Sequence, residues 1–468
     1  MTTQPSTLNT PRGFTSLPWI EIGILLLAAA FRLILLDAKP PHFDEGVNGW
    51  FADQMAATGL FRYDPTNYHG PLHFYAVFLS QTLFGRNLWA LRIPAIISSL
   101  LAVWAVLRYR EFFGPAAARI AALAMAVSPA YVFYGRYSIH ESWMVFFQIT
   151  LLWGVLGLWQ NGGRRFLNAT ILGMTGMILT KETYVIHAVS LALTALTLWA
   201  WQFVFPSRPA QSLARQVWTR RDAAGALAAA LIAIIFFYSG NFLDFSILRG
   251  LYETFAAWFY TGVEAAGHEK TAYNLLGSDY LNFYWIALMT RFEAPALLGL
   301  VLCIRYVFPS DARLRYIAIY GGGILLAFSL IPYKTPWCII SILWPFYLIL
   351  GAALSEGAKA LSRLWQTRLA RVPDRTGWVL GAVVTAMLSV SAGQSIWLNF
   401  YHATDETVPY VYVQTFPEIA TFTQPLLDAA RRDPSRYHVR GQVIMDSYYP
   451  LPWMLGDFTR IGYYKKLD

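Results

Sequence analysis

Charged residues are scarce in this sequence: only 13% of its 468 residues are Asp, Glu, Lys or Arg. A soluble domain usually carries about 25%. Because 56% of the residues are hydrophobic, too few charges are available to cover a water-facing surface, and a soluble globular protein is excluded. Cysteine is scarce as well. The two cysteines, Cys303 and Cys338, lie in apolar runs, which argues against a disulfide framework or a metal knuckle.

The sequence is instead rich in apolar runs. Several reach about 18 residues, long enough to cross ~30 Å of hydrocarbon. We therefore predict an all-α polytopic membrane protein, a bundle of about eleven transmembrane helices. The predicted spans are 18–36, 88–107, 115–132, 139–160, 166–180, 184–205, 223–240, 283–304, 314–332, 337–354 and 377–397. A shorter stretch, 71–84, is predicted to be an interfacial or re-entrant helix.

Basic residues set the predicted orientation. They concentrate in every second loop, for example Arg164 and Arg165, Arg220 and Arg221, and Arg313 and Arg315. Such loops are cytoplasmic by the positive-inside rule. The formal charge of +9 is then explained without nucleic acid as a partner. The first apolar run is interpreted as an uncleaved signal anchor in the plasma (inner) membrane, with the active face periplasmic or extracellular.

The predicted organisation has three parts. Residues 1–17 are expected to be a disordered cytoplasmic N-terminus, and residues 18–397 a transmembrane domain. Within that domain, the first outer loop spans 37–87, and the outer loop 241–282 is expected to contain an interfacial helix near 247–262. Residues 398–468 are predicted to be a small extracytoplasmic α/β appendage, with a helix over 417–432 and a strand within 438–447.

Acids, histidines and single basic residues mark the predicted outer loops. Asp44 and Glu45 follow the first span, and paired acids there suit a general base or a metal ligand. The alternative is an acid pair that stabilises a helix N-terminus. His69 and His73 are one helical turn apart. They suit a metal or phosphate contact, or capping and packing at the interface.

The later outer loops add further candidates, Arg136, His140 and Glu141 in one loop and Lys181 with Glu182 in the next. Ionisable groups at span ends are costly and tend to be functional or paired, so the Lys181–Glu182 pair is interpreted as a site or as a mutual salt bridge. Cations at one membrane face, beside carboxylates, favour chemistry on an anionic lipid headgroup: a carboxylate deprotonates an acceptor hydroxyl and cations neutralise the phosphate.

Lys334 lies between Pro332 and Pro336 at the tip of a predicted helical hairpin. A cation held in so stiff a turn suits a phosphate oxygen. The alternative is an interfacial anchor formed by Lys334 with Tyr333 and Trp337.

Several of these motifs resemble those of GT-C membrane glycosyltransferases, which include protein O-mannosyltransferases and lipid A aminoarabinose transferases. The acid pair in HFDEG resembles the signature after the family's first span, and YHGPLHFY…LFGRNLWALRIPA (68–95) is similar to the segment that follows. SPAYVFYGRYSIHES, LTKETY, IPYKTPW and DSYYPLPWMLGDFTRIGYY (446–464) most resemble the flippase activity-associated group. The resemblance covers most of the chain.

The resemblance implies an inverting transfer of a sugar from a polyprenyl-phosphate carrier to an acceptor hydroxyl. The acceptor, a lipid, a glycan or a protein, stays open. The catalytic acid falls on Asp44, with Glu45 beside it. The expected donor-phosphate or substrate contacts are His69, Arg136, His140, Glu141, Lys181, Glu182, Tyr333 and Lys334. Many relatives have Arg-Glu where this chain has His140 and Glu141. Some members use a divalent metal and others do not. Without a clear ligand constellation, we predict no metal and no other cofactor.

The alternative is a transporter or flippase-associated protein that binds lipid-linked sugars without catalysis. Such a protein is expected to have inverted repeats and broken helices near the midplane. The sequence indicates neither.

Overall fold

The computed structural model describes residues 19–63, 69–206, 218–264, 283–368 and 375–466. The predicted N-terminal segment 1–17 and positions 265–282 of the long outer loop lie outside these residues. The helices are α1 (Trp19–Leu33), α2 (Phe43–Thr58), α3 (Leu72–Phe84), α4 (Leu88–Arg108), α5 (Arg110–Phe113), α6 (Pro115–Val127), α7 (Pro129–Gly135), α8 (Glu141–Trp159), α9 (Arg164–Thr180), α10 (Tyr184–Trp201), α11 (Arg220–Tyr238), α12 (Gly250–Glu264), α13 (Tyr284–Phe292), α14 (Ala294–Leu302), α15 (Ala312–Leu330), α16 (Ile339–Arg368), α17 (Thr376–Ile396), α18 (Ile419–Arg432) and α19 (Leu451–Met454). Two strands, β1 (Gly441–Ile444) and β2 (Ile461–Tyr464), pair in parallel.

The helical membrane fold predicted from the apolar runs is confirmed. In the described part of the chain, six helices are long and apolar enough to cross a membrane, and two bent helix pairs raise this to eight. The other predicted spans coincide with α1, α9 and α15, which are helical but shorter or more polar. The protein is therefore an integral membrane protein. The number of eleven passes and the orientation stay predictions.

Small residues bring neighbouring helices close together. Gly157 of α8 packs against the ring of Phe166 in α9, and Gly176 of α9 packs against Phe147. An added Cβ at either glycine would overlap these rings. The hydrophobic effect does not drive helices together in lipid. Close approach at small residues stabilises the helix pair through van der Waals contacts instead.

Two predicted spans are broken rather than continuous. Helices α6 and α7 meet at 59°, and α13 and α14 meet at 118°. A proline, Pro129 or Pro295, lies at the start of the second helix of each pair. The two breaks contact each other, because Glu293 accepts hydrogen bonds from the Ser128 hydroxyl at 2.9 Å and from the Ala130 amide at 2.7 Å. The sequence indicated no broken helices, and this expectation was wrong for these two spans.

The C-terminal segment docks on α2. Gly46 packs against Pro450 and Gly49 against the Trp453 indole. The C-terminal segment therefore contacts the backbone of α2 directly, where the two glycines have no side chain. Arg86 adds a clamp, with its Nε 2.9 Å from Asp53 of α2 and a hydrogen bond to the Trp453 carbonyl. This docking places positions 447–449 beside the beginning of α2.

Candidate active site

A cavity of about 1100 Å³ lies where the beginning of α2, the α9–α10 turn and the α15–α16 turn meet the C-terminal segment. Most of the predicted site residues share its wall, namely Asp44, His69, His140, Glu141, Lys181, Glu182 and Tyr333. Aromatic side chains contribute much of the rest, including Trp50, Trp258, Trp337, Tyr448 and Tyr449. Loops far apart in sequence thus form one mixed polar and apolar cavity.

The backbone at Asp44 is held by His42, the residue that caps α2. The Nδ1 atom of His42 accepts from the Asp44 amide at 3.0 Å, and its Nε2 lies 2.7 Å from the Tyr412 carbonyl. Because a carbonyl only accepts, Nε2 carries the proton and the ring is neutral. Burial lowers the pKa of His42, outweighing the opposing effect of Asp44. The Asp44 side chain itself is 37% exposed, so its carboxylate is available to a ligand.

The adjacent acid, Glu45, is placed very differently. It is fully buried and forms a bidentate ion pair with Arg92, with Nε–Oε1 and Nη2–Oε2 distances of 2.8 and 2.7 Å. It also accepts from the His42 and Ser138 amides, both at 2.9 Å. Burial alone would raise the pKa of Glu45, but Arg92, helped by Lys39, lowers it to about 2. The structure does not bring Glu45 to the cavity.

Arg136 and Lys334 also lie away from the cavity wall. The Arg136 guanidinium donates to carbonyls at the end of α1, those of Ile34 and Leu35, both at 2.7 Å. It therefore caps the α1 C-terminus. The Lys334 ammonium donates to the Ile331 carbonyl at 2.5 Å, and burial lowers the pKa of Lys334 to about 8. Their predicted contacts with phosphate stay predictions.

Two acid–base side-chain pairs line the cavity, each joining different loops. The Lys181 ammonium lies 2.6 Å from Glu141, and His69 Nδ1 lies 3.1 Å from Glu182. Burial lowers the pKa of Lys181, but Glu141 and Glu182 raise it well above its ordinary value. For Glu182, burial raises the pKa, whereas His69 and Lys181 lower it below its ordinary value. Lys181 is thus protonated.

His140 lies between two other imidazoles, with ring centroids 4.9 Å from His69 and 4.7 Å from His73. Burial lowers the pKa of His140 well below its ordinary value, and the neighbouring histidines lower it further, so the ring is neutral. His73 Nε2 lies 3.1 Å from the Ser138 hydroxyl. Within the described ranges, no group of three or more His, Cys, Asp or Glu could hold a metal ion. Metal independence stays a prediction.

Known proteins share this architecture. A model of the family described as dolichyl-phosphate-mannose-protein mannosyltransferase matches residues 68–207. Among solved structures, ArnT from Cupriavidus metallidurans bound to undecaprenyl phosphate superposes with a TM-score of 0.63 at 16% identity, over 96% of this chain and 86% of ArnT. The oligosaccharyltransferase of Archaeoglobus fulgidus, tethered with an acceptor peptide, gives a TM-score of 0.55 at 12% identity. This chain has the GT-C fold.

This chain spans only part of the archaeal oligosaccharyltransferase. The match covers 95% of this chain but only 63% of the oligosaccharyltransferase. Compared by sequence with curated proteins, the chain has no match. The likeness to the flippase activity-associated group stays a prediction.

Three features of this site were not predicted from the sequence. His42 caps α2 at the Asp44 amide, Arg92 pairs with Glu45, and the side-chain amide of Asn48 donates to the Ser138 carbonyl at 2.7 Å. Arg92 had a signal: an arginine inside an apolar run needs a buried partner. No sequence pattern links Asn48 or His42 to the distant backbone groups that they contact.

Proposed function

We propose that this protein is an inverting glycosyltransferase, which moves a sugar from a polyprenyl-phosphate carrier to an acceptor hydroxyl at the non-cytoplasmic membrane face. The observation that supports this most is the exposed carboxylate of Asp44 on the wall of the cavity that also contains Lys181. A base and a cation in one cavity are the two groups that such a transfer needs.

The cavity suits an amphipathic donor. Ligand pockets for small molecules usually span about 300–1,000 Å³, so about 1100 Å³ accommodates a sugar phosphate and the first part of a lipid chain. Aromatic residues such as Trp50, Trp258 and Phe328 offer the lipid and the sugar ring apolar contacts. The undecaprenyl phosphate held by ArnT, which has the same fold, supports a lipid phosphate as the carrier.

The transfer itself needs one bond to form and one to break. The acceptor oxygen attacks the anomeric carbon while Asp44 takes the acceptor's proton. The bond between that carbon and the phosphate oxygen breaks, and the lipid phosphate leaves with the electron pair. The configuration at the anomeric carbon inverts. General-base help of this kind contributes about 10²–10⁴-fold in rate.

Lys181 is the only Lys or Arg on the cavity wall within the described residues. Its ammonium is already paired with Glu141 at 2.6 Å, so a departing phosphate shares this cation with a carboxylate. We expect Lys181 to stabilise the leaving group while Glu141 keeps the lysine in place and protonated. His69, paired with Glu182, is the second candidate contact for the phosphate.

The test is Asp44→Asn, which keeps the size of the side chain and removes the base. With radiolabelled polyprenyl-phospho-sugar, we expect sugar transfer and polyprenyl phosphate release to fall by about 10²–10⁴-fold, with donor binding retained. Asp37→Asn is the matched control, because Asp37 is an exposed acid of the same loop that does not line the cavity. Full activity of Asp44→Asn would remove Asp44 from the mechanism.

One observation favours the alternative of a lipid-sugar-binding protein without catalysis. The 118° break between α13 and α14 is the kind of feature expected in transporters. The same assay separates the two functions: a binder retains the labelled donor unchanged, whereas a transferase releases polyprenyl phosphate.

A further inference from the structure

The side chain of Asn48 reaches the cavity from α2, four residues after Asp44. Residues four apart lie on the same face of a helix, and they are separated by about 6 Å along its axis. Both residues line the cavity. Asn48 is only 3% exposed, whereas the Asp44 side chain is 37% exposed. Asn48 therefore lies on the same side of α2 as the proposed base, at a more enclosed position.

One end of the Asn48 amide is held by the backbone. Its Nδ2 atom donates to the Ser138 carbonyl at 2.7 Å. Because a carbonyl only accepts, this contact decides which end of the amide is the nitrogen. Within the described residues, the Oδ1 atom has no hydrogen-bond partner. It is also not one of the fully enclosed polar atoms that lack a partner, so this oxygen is open to the cavity.

An open amide oxygen needs a hydrogen-bond donor from the ligand. The neighbouring Val47 and Phe51 also line the cavity and offer no polar side-chain group. In a polyprenyl-phospho-sugar, the phosphate has only acceptor oxygens and the lipid chain has no polar hydrogen. The hydroxyls of the sugar are the remaining donors. An acceptor hydroxyl that is to be deprotonated is already hydrogen-bonded to Asp44.

The position of Asn48 relative to Asp44 indicates which sugar hydroxyl it contacts. In the proposed transfer, the acceptor oxygen contacts the Asp44 carboxylate and lies about 3 Å from the anomeric carbon. The anomeric carbon is therefore close to the first turn of α2, and Asn48 is one turn further along. The hydroxyl on the adjacent ring carbon, C2, is the sugar hydroxyl nearest to the anomeric carbon. It is the hydroxyl best placed to reach Oδ1.

We propose that Asn48 determines specificity for the transferred sugar, because its Oδ1 accepts a hydrogen bond from the C2 hydroxyl. The protein then prefers sugars with this hydroxyl over 2-deoxy sugars. A site that is built to bind a substrate hydroxyl discriminates against the analogue that lacks it, since the polar group of the site is left unpaired. The inference rests on the proposed glycosyl transfer, to which it adds a requirement on the sugar.

Binding of four lipids to the full-length protein tests this inference. They are undecaprenyl-phospho-mannose, undecaprenyl-phospho-glucose, the 2-deoxy analogue that these two sugars share, and undecaprenyl phosphate without a sugar. No acceptor is added, so that no sugar is transferred to one. Asn48→Leu removes the amide at similar size. Gln54→Leu is the matched control, because Gln54 is an exposed amide of the same helix that does not line the cavity.

We expect the unsubstituted protein to bind the better of the two hydroxyl-bearing lipids about tenfold more tightly than the 2-deoxy analogue. In Asn48→Leu this preference should disappear, and in Gln54→Leu it should remain. Undecaprenyl phosphate should bind equally to all three proteins, since its phosphate and lipid chain do not contact Asn48. Equal binding of this lipid also shows that the variants are folded.

Two results would overturn the inference. One is the absence of a preference over the 2-deoxy analogue in the unsubstituted protein, a measurement that needs no variant. The other is a loss in Asn48→Leu that is equal for all four lipids, which would limit Asn48 to holding the Ser138 backbone. The proposed transfer is judged separately, because Asp44→Asn tests it by donor consumption and these binding measurements do not depend on the reaction.

Discussion

The starts of α2 and α14 each place a carboxylate in the interior, and they differ in how it is satisfied. At α2, Glu45 is neutralised by Arg92, while its neighbour Asp44 stays 37% exposed in the cavity. Before α14, Glu293 has no exposed neighbour acid and accepts from neutral donors, including the Tyr347 hydroxyl at 2.6 Å. The two regions therefore differ in one respect: only the start of α2 places a second, exposed acid beside the buried one.

Breaking the charged pair at α2 should produce the largest effect. In Arg92→Met, Glu45 loses its cation and keeps its burial, so we expect the free energy of unfolding to fall by about 3–5 kcal/mol. Thermal unfolding in detergent measures this. The double variant Arg92→Met with Glu45→Gln should recover part of the loss, and a single variant as stable as the unsubstituted protein would contradict the role of the pair.

Low pH should remove the contribution of the Glu45–Arg92 pair to the free energy of unfolding, about 3 kcal/mol. The folded pKa of Glu45 is lowered from 4.5 to about 2, so its stabilisation is present above the unfolded pKa. It is lost as pH falls through the folded pKa. We expect stability to decrease between about pH 4.5 and pH 2, and this decrease should be smaller in Glu45→Gln. An identical pH profile in the variant would assign the acid sensitivity elsewhere.

Gly49→Ala tests whether the C-terminal segment holds α2 in place. Its new Cβ would overlap the Trp453 indole, and overpacking of this kind costs about 1–3 kcal/mol. We also expect lower transfer activity, because Gly49 is a little over one helical turn from Asp44. The control is Gly23→Ala, where a Cβ meets no atom within 4 Å. Equal behaviour of the two variants would show that this contact is dispensable.

Glu293→Gln should have the smallest effect in this comparison. An amide keeps one acceptor oxygen but turns a donor toward Ser128, Ala130 or Tyr347, which themselves donate to Glu293. We expect a loss of about 1 kcal/mol in the free energy of unfolding and donor turnover near that of the unsubstituted protein. A complete loss of turnover with normal stability would instead give Glu293 a role in the reaction.

The partners of individual charged residues could not be predicted from the sequence. Lys181 and Glu182 are adjacent, and a mutual salt bridge was one interpretation. In the structure Lys181 pairs with Glu141 and Glu182 with His69, because neighbours on a tight turn point toward different loops. Arg136 and Lys334, predicted beside phosphate, donate to backbone carbonyls at the ends of helices. Such carbonyls compete for any nearby cation.

By itself, the sequence determined that the protein is a helical membrane protein and that Asp44 and Glu45 follow its first apolar run. Apolar runs and the lack of charge are local properties, and lipid accepts only a helix or a closed barrel. Only the tertiary structure decided that Asp44 faces the cavity while Glu45 turns inward to Arg92. It also decided that two of the predicted spans are bent. These features depend on contacts between segments far apart in the chain, which no local pattern records.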